Sequence, residues 1–124
     1  MLRSGEDIDE LQASLLRTLA SAQRLRIIHQ LGVGDCEVGE LAAYLGLSQA
    51  AASQHLSALR SVGLVEAVRD GRALHYRLTD PEILSACGLM RSVLVRRLSR
   101  LGDLAAAAER EAEPLVLAAP GGPR

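Results

Sequence analysis

Apolar positions along the first sixty residues recur at helical spacing. Ile8, Leu11, Leu15 and Leu19 predict an amphipathic helix from about Ile8 to Leu19. Ser21 is placed to cap a second helix beginning near Ala22, with Leu25, Ile28 and Leu31 as its buried stripe and Gly32 as its stop. Gly32 to Asp35 reads as a loop. A third helix is predicted from about Val38 to Leu45, with Leu41 and Leu45 facing inward. Gly46 sits where the chain must leave that helix through a left-handed residue. Leu47 then plugs the corner, and Ser48 caps a fourth helix from Gln49 to about Val62, ended by Gly63. On that helix Ala52, Leu56 and Leu59 share the core side. Gln49, Ala50, Ser53, Gln54, Ser57 and Arg60 share the other.

The period then changes. Leu64 to Arg69 and Arg72 to Leu78 are β-type runs separated by Asp70-Gly71, which predicts a hairpin with a type I′ turn. Alternation puts Ala73, His75 and Arg77 on one face and Leu74, Tyr76 and Leu78 on the other. Asp80 as N-cap and Pro81 at the first helical position open a long last helix. Ile83, Leu84, Cys87, Met90, Leu94, Leu98, Leu101 and Leu104 keep its apolar face through about Glu109. The expected fold is mainly α with a β-hairpin wing: a winged helix-turn-helix of about five helices. The predicted domain runs over 8–111, after a flexible N-terminus at 1–7. The tail at 112–124 is expected to be disordered, since EPLVLAAPGGPR holds three of the chain's four prolines.

Composition narrows the packing. Of 124 residues 48% are apolar, yet only 2% are aromatic: two Tyr, no Phe and no Trp. Aliphatic side chains must form the core, and a domain this small gains burial by dimerising. No apolar run approaches the roughly 20 residues that span a bilayer. The charged start is unlike a signal peptide, so no membrane partner and a cytoplasmic location are expected. Net charge is −1, which is low for a nucleic-acid binder. What matters to DNA is the local potential of the docking face. Arg60, Arg69, Arg72 and Arg77 cluster there against only Glu66 and Asp70, with His55 and His75 nearby.

Reading DNA requires a helix whose outward side chains are short and polar. Gln54 suits adenine, Ser53 suits several base edges or a phosphate, and small Ala50 permits close approach. Arg69, Arg72 and Arg77 suit phosphates. The candidate contacts to double-stranded DNA are therefore Ser48, Gln49, Ala50, Ser53, Gln54, His55, Ser57, Arg60, Arg69, Arg72 and Arg77. His55 lies near the helix's buried edge, where packing competes with contact to DNA, and His29 and His75 read as structural or exposed. A winged helix used for protein interaction is the alternative. No phosphate loop, metal-hydrolase spacing or nucleophile–His–acid grouping suggests an enzyme.

The segments RLRIIHQL and VGELAAYLGLSQAAASQHLSALRSVGLVEAVRDGRALHYRL resemble the ArsR/SmtB family of bacterial repressors over about Ala20 to Leu78. The resemblance implies a homodimer built on the first and last helices, an inverted-repeat operator, and release by a metal ion, metalloid or oxidant. The family's usual sensor ligands are missing. Where arsenic-responsive relatives carry C-V-C, this chain has Glu37-Val38-Gly39. The last helix has no His for a zinc site. Ala58 and Val62 stand where some cadmium and lead sensors have cysteines. Only Cys36 and Cys87 remain as sensor candidates. One reading makes them a dithiol that oxidises, with Cys36 the more reactive because it stands in a polar loop at a helix start, where the helix dipole lowers its pKa. A second makes them ligands for a soft ion such as As(III), Hg(II) or Cd(II), completed by Asp35, Glu37 or Glu40. A third makes Cys87 a small buried hydrophobe beside Ile83 and Met90, in a repressor without cysteine sensing. No other cofactor is expected.

Overall fold

The computed structural model describes residues 7–111. The elements are α1 (Ile8–Leu19), α2 (Ala22–Val33), β1 (Cys36–Glu37), α3 (Val38–Leu45), α4 (Gln49–Ser61), β2 (Val65–Asp70), β3 (Ala73–Leu78) and α5 (Glu82–Glu111). They form the predicted winged helix-turn-helix. The expectations for the tail at 112–124 and for nearly all of the N-terminal stretch lie outside the described residues. The chain divides after Ala86: one body holds everything up to the first turn of α5, and the remainder of α5 belongs to a second.

Side-chain caps start the helices where the sequence placed them. Ser21 Oγ accepts from Arg24 N at 3.3 Å, and Ser48 Oγ accepts from Ala51 N at 3.0 Å. Asp80 Oδ1 accepts from Glu82 N at 3.0 Å. Each satisfies a donor that has no partner within its helix. At α3 the cap is reciprocal: Glu40 Oε1 accepts from Glu37 N at 2.8 Å, while the Glu37 side chain accepts from the Glu40 backbone. Gly46 closes α3 at φ 69°, and Leu47 N donates back to Ala42 O at 2.9 Å. That left-handed exit makes the corner of the helix-turn-helix tight.

The core of the first body is aliphatic. Ile27, Ile28, Leu41, Leu56 and Leu59 are its largest fully buried side chains, joined by Leu19, Leu31, Ala42, Ala52, Leu64, Val65 and Tyr76. The α4 stripe is as predicted. On α2, Ile27 takes the buried place expected of Leu25, which is half-buried, and on α3 Ala42 takes the one expected of Leu45.

Three local expectations need correction. Gly32 does not end α2; the helix runs to Val33, and Gly32 lies inside it against Leu84. Cys36 is in no loop: with Glu37 it forms β1, an edge strand that pairs antiparallel with β3 through Cys36↔Tyr76 and Glu37↔His75. The sheet order is β1-β3-β2. The hairpin turn is also shifted by one residue. Asp70 pairs with Ala73, so Gly71 and Arg72 are the central pair. Of these two only Gly71, at φ 62°, has positive φ, since no described non-glycine residue does. That is the φ pattern of a type II′ turn, with glycine first, rather than type I′. At the other end of the hairpin, Thr79 N donates to Leu64 O at 3.0 Å and Thr79 Oγ1 donates to Gly63 O, fastening the wing to the end of α4.

Candidate nucleic-acid interface

Burial of Ala52, Leu56 and Leu59 at 0–1% exposure fixes the roll of α4 about its axis. The same roll turns Gln49, Ala50, Ser53, Gln54, Ser57 and Arg60 to solvent. These six make one continuous strip along a helix of 13 residues, about 20 Å long at 1.5 Å per residue. The strip carries amides, hydroxyls, one methyl and one guanidinium, with no carboxylate. A helix of this width and chemistry fits the major groove of B-form DNA.

Not all the predicted contacts are equally free. Ser48 Oγ is engaged as the cap of α4. The Gln49 amide lies over α3, where a Cβ on Gly39 would stand 3.2 Å from its Nε2. His55 is half-buried, and its Nδ1 accepts from Arg24 Nε at 3.1 Å. On the wing, Arg69 and Arg72 are exposed on either side of the Asp70-Gly71 tip. Arg77 is not with them. It pairs across the ladder with Glu66, near the base of the hairpin, and its Nε donates to Glu66 Oε2 at 2.7 Å. That hydrogen bond raises the Arg77 pKa further, with weaker help from the Asp35 charge. The guanidinium expected to reach phosphate is already matched to a carboxylate.

The cysteines differ most from expectation. Cys36 is 9% exposed, Cys87 is 5% exposed, and both are free. The Cys36 thiol donates to Gly34 O at 3.4 Å. Burial pushes its pKa up, and the Glu40 and Asp35 carboxylates push it further the same way. Burial alone raises Cys87. The expectation of an activated Cys36 thiolate at a helix start is therefore reversed. The residue sits in the strand before α3, facing inward, and the nearest helix cap is made of two carboxylates.

The model of the bacterial regulatory proteins of the arsR family matches residues 21–67, from the cap of α2 into β2. The HTH-type transcriptional regulator CmtR of Mycobacterium bovis is 43% identical over 67% of this chain and 70% of that protein. The chain belongs to the arsR family. The crystal structure of Rv0081 from Mycobacterium tuberculosis superposes on it with a TM-score of 0.70 at 39% identity, over 77% of this chain and 97% of that one. The homodimeric winged helix-turn-helix DNA-binding domain Mb0332 of Mycobacterium bovis also gives 0.70, at 29% identity, over 79% of this chain and 95% of that one.

Membership of the arsR family makes this chain a DNA-binding regulator and not an enzyme. Among the described residues, no group of three His, Cys, Asp or Glu side chains is gathered as a metal ion would need. Among the described residues, no helix is long and apolar enough to cross a membrane. Arg24 and Glu66 are the site residues that sequence reasoning missed. Arg24 meets His55 across 31 positions, a pairing that no local pattern announces. The Glu66–Arg77 pair follows from hairpin register, which the alternation alone leaves free to slip by two residues without changing faces.

Proposed function

We propose that this chain is a homodimeric transcriptional repressor in which α4 of each protomer enters the major groove of an inverted-repeat operator. The observation that carries the reading is the carboxylate-free polar strip on α4, held to a fixed roll by its buried stripe. Gln54 and Ser53 read base edges, Ala50 lets the helix approach, and Gln49, Ser57 and Arg60 hold the flanking backbone. Arg69 and Arg72 at the wing tip add phosphate contacts that carry no sequence information. A dimer seated this way occupies duplex that a polymerase must use, in the cytoplasm.

Dimerisation is supported by apolar surface that a single chain leaves open. On α1, Ile8 and Leu11 line a cleft of about 490 Å³ with Leu15 and Val62. On α5, Met90, Leu94, Leu98, Leu101 and Leu104 are each at least half exposed. Patches of this kind mark protein interfaces. A two-fold dimer would present its two reading helices to half-sites about 34 Å apart, one helical turn.

For release, the burial of both thiols favours a repressor without a poised thiolate over one switched directly by an oxidant or soft metal. Any effector must bind the DNA-free form better, and DNA must then weaken effector binding by the same factor. Selection from a random duplex library tests the whole reading. Recovery of a two-fold-symmetric sequence, bound by a dimer as seen in light scattering, is expected. Enrichment of asymmetric sites or none would overturn it.

A further inference from the structure

Arg24, in the first turn of α2, ties three helices together. Its Nη1 donates to Thr18 O, near the end of α1, at 3.0 Å. Its Nε donates to His55 Nδ1 on α4 at 3.1 Å. Its own backbone N–H is fixed by the Ser21 cap. An arginine side chain has donors only and stays charged. The imidazole nitrogen that faces it must therefore be the bare, accepting one. The ring proton then sits on Nε2, and the ring is neutral, since a protonated imidazole has no acceptor to offer.

We propose that Arg24 is a positioning residue for DNA binding: it locks His55 in the Nε2–H tautomer, and that N–H donates to a phosphate oxygen of the duplex backbone. This rests on the reading of α4 as the groove helix. His55 directly follows Ser53 and Gln54 and is half-buried, at the margin between the groove-facing strip and the body of the domain. The duplex backbone runs along that margin when a helix lies in the groove, and half or more of protein–DNA hydrogen bonds go to the backbone. The contact is neutral on the protein side. It fixes how deeply α4 sits without adding a counterion-releasing charge.

The test uses the full chain in two measurements. Nitrogen-15 NMR of the histidine rings reads the tautomer without DNA, and a salt series on a short mixed-sequence duplex reads phosphate contacts irrespective of operator. Wild type should show His55 protonated on Nε2. Arg24→Met should lose that preference and bind duplex roughly tenfold more weakly, the worth of one hydrogen bond to a charged acceptor. Its plot of log affinity against log salt should keep the wild-type slope. Arg24→Gln carries an amide nitrogen the same number of bonds from the backbone as Arg24 Nε, and should restore both tautomer and affinity. Arg24→Met added to His55→Phe should weaken binding no further than His55→Phe alone.

A wild-type ring protonated on Nδ1 would overturn the proposal even if every variant failed to fold. A salt slope in Arg24→Met that falls by about one phosphate contact would also overturn it, because Arg24 would then touch DNA itself. Additive losses in the double variant would do the same. Wild type lacking any salt-dependent affinity for duplex would instead overturn the groove-helix reading and with it the phosphate role of His55, while the ring tautomer would still report on the Arg24 lock.

Discussion

Leu84, in the first turn of α5, lies so close to Gly32 that a Cβ on the glycine would stand 2.5 Å from Leu84 Cδ2 and 3.1 Å from Cδ1. The glycine is helical, so its role is the missing side chain and not its backbone freedom. Gly32→Ala should force Leu84 out of its rotamer, at about 1–2 kcal/mol, the usual range for modest overpacking. Leu84→Ala in the same background should recover part of that loss. Chemical denaturation of the two variants and their combination measures this; additive losses would show that the contact does not control the packing of α5's first turn on α2.

The wing arginines should separate in a salt series. Arg72→Ala removes an exposed guanidinium beside the turn, and the log–log salt slope should fall by about 0.9, one phosphate's worth. Arg77→Ala should leave the slope near wild type, because that guanidinium is paired with Glu66. Its effect should appear instead as a small loss of stability, since so exposed a pair contributes little. Equal slope changes in the two variants would contradict this division.

The thiols should resist alkylation near neutral pH and react faster as pH rises. Both pKa values are raised by burial, so the folded protein holds these protons more tightly than the unfolded chain. Below the ordinary thiol range both states are protonated and stability is unaffected; as pH climbs through and above that range, the unfolded chain ionises first and stability falls. Denaturation of wild type against the Cys36→Ser and Cys87→Ser variants from neutral to alkaline pH measures the difference. A wild-type alkaline decline no steeper than that of the variants would contradict it.

The helix-turn-helix was legible because its signals are local and mutually consistent. Ser21, Ser48 and Asp80 cap within three residues of themselves, Gly46 turns a corner that only a few residues tolerate, and the α4 stripe repeats at i, i+4 and i+7. What the sequence hid depends on long-range partners. Gly32 reads as a helix stop until Leu84 is seen against it. Cys36 reads as loop until β3 supplies its ladder, and the same pairing turns a reactive-looking thiol into a buried one. Asp70-Gly71 signalled a hairpin correctly but not which residue led its turn, since the Asp70↔Ala73 pair sets that. His55 was ambiguous for the same reason, because its Arg24 partner lies 31 residues away.

The most direct measurement is base discrimination by Gln54 on α4. Once the preferred duplex is selected, wild type and Gln54→Ala are titrated against it and against each single-base substitution. A bidentate amide–adenine contact discriminates by about 1–3 kcal/mol. Gln54→Ala should therefore bind the preferred duplex roughly five- to hundredfold more weakly and lose discrimination at one symmetric pair of positions, keeping it elsewhere. If Gln54→Ala binds every sequence as wild type does, or weakens all of them equally, α4 does not read base edges and the account fails.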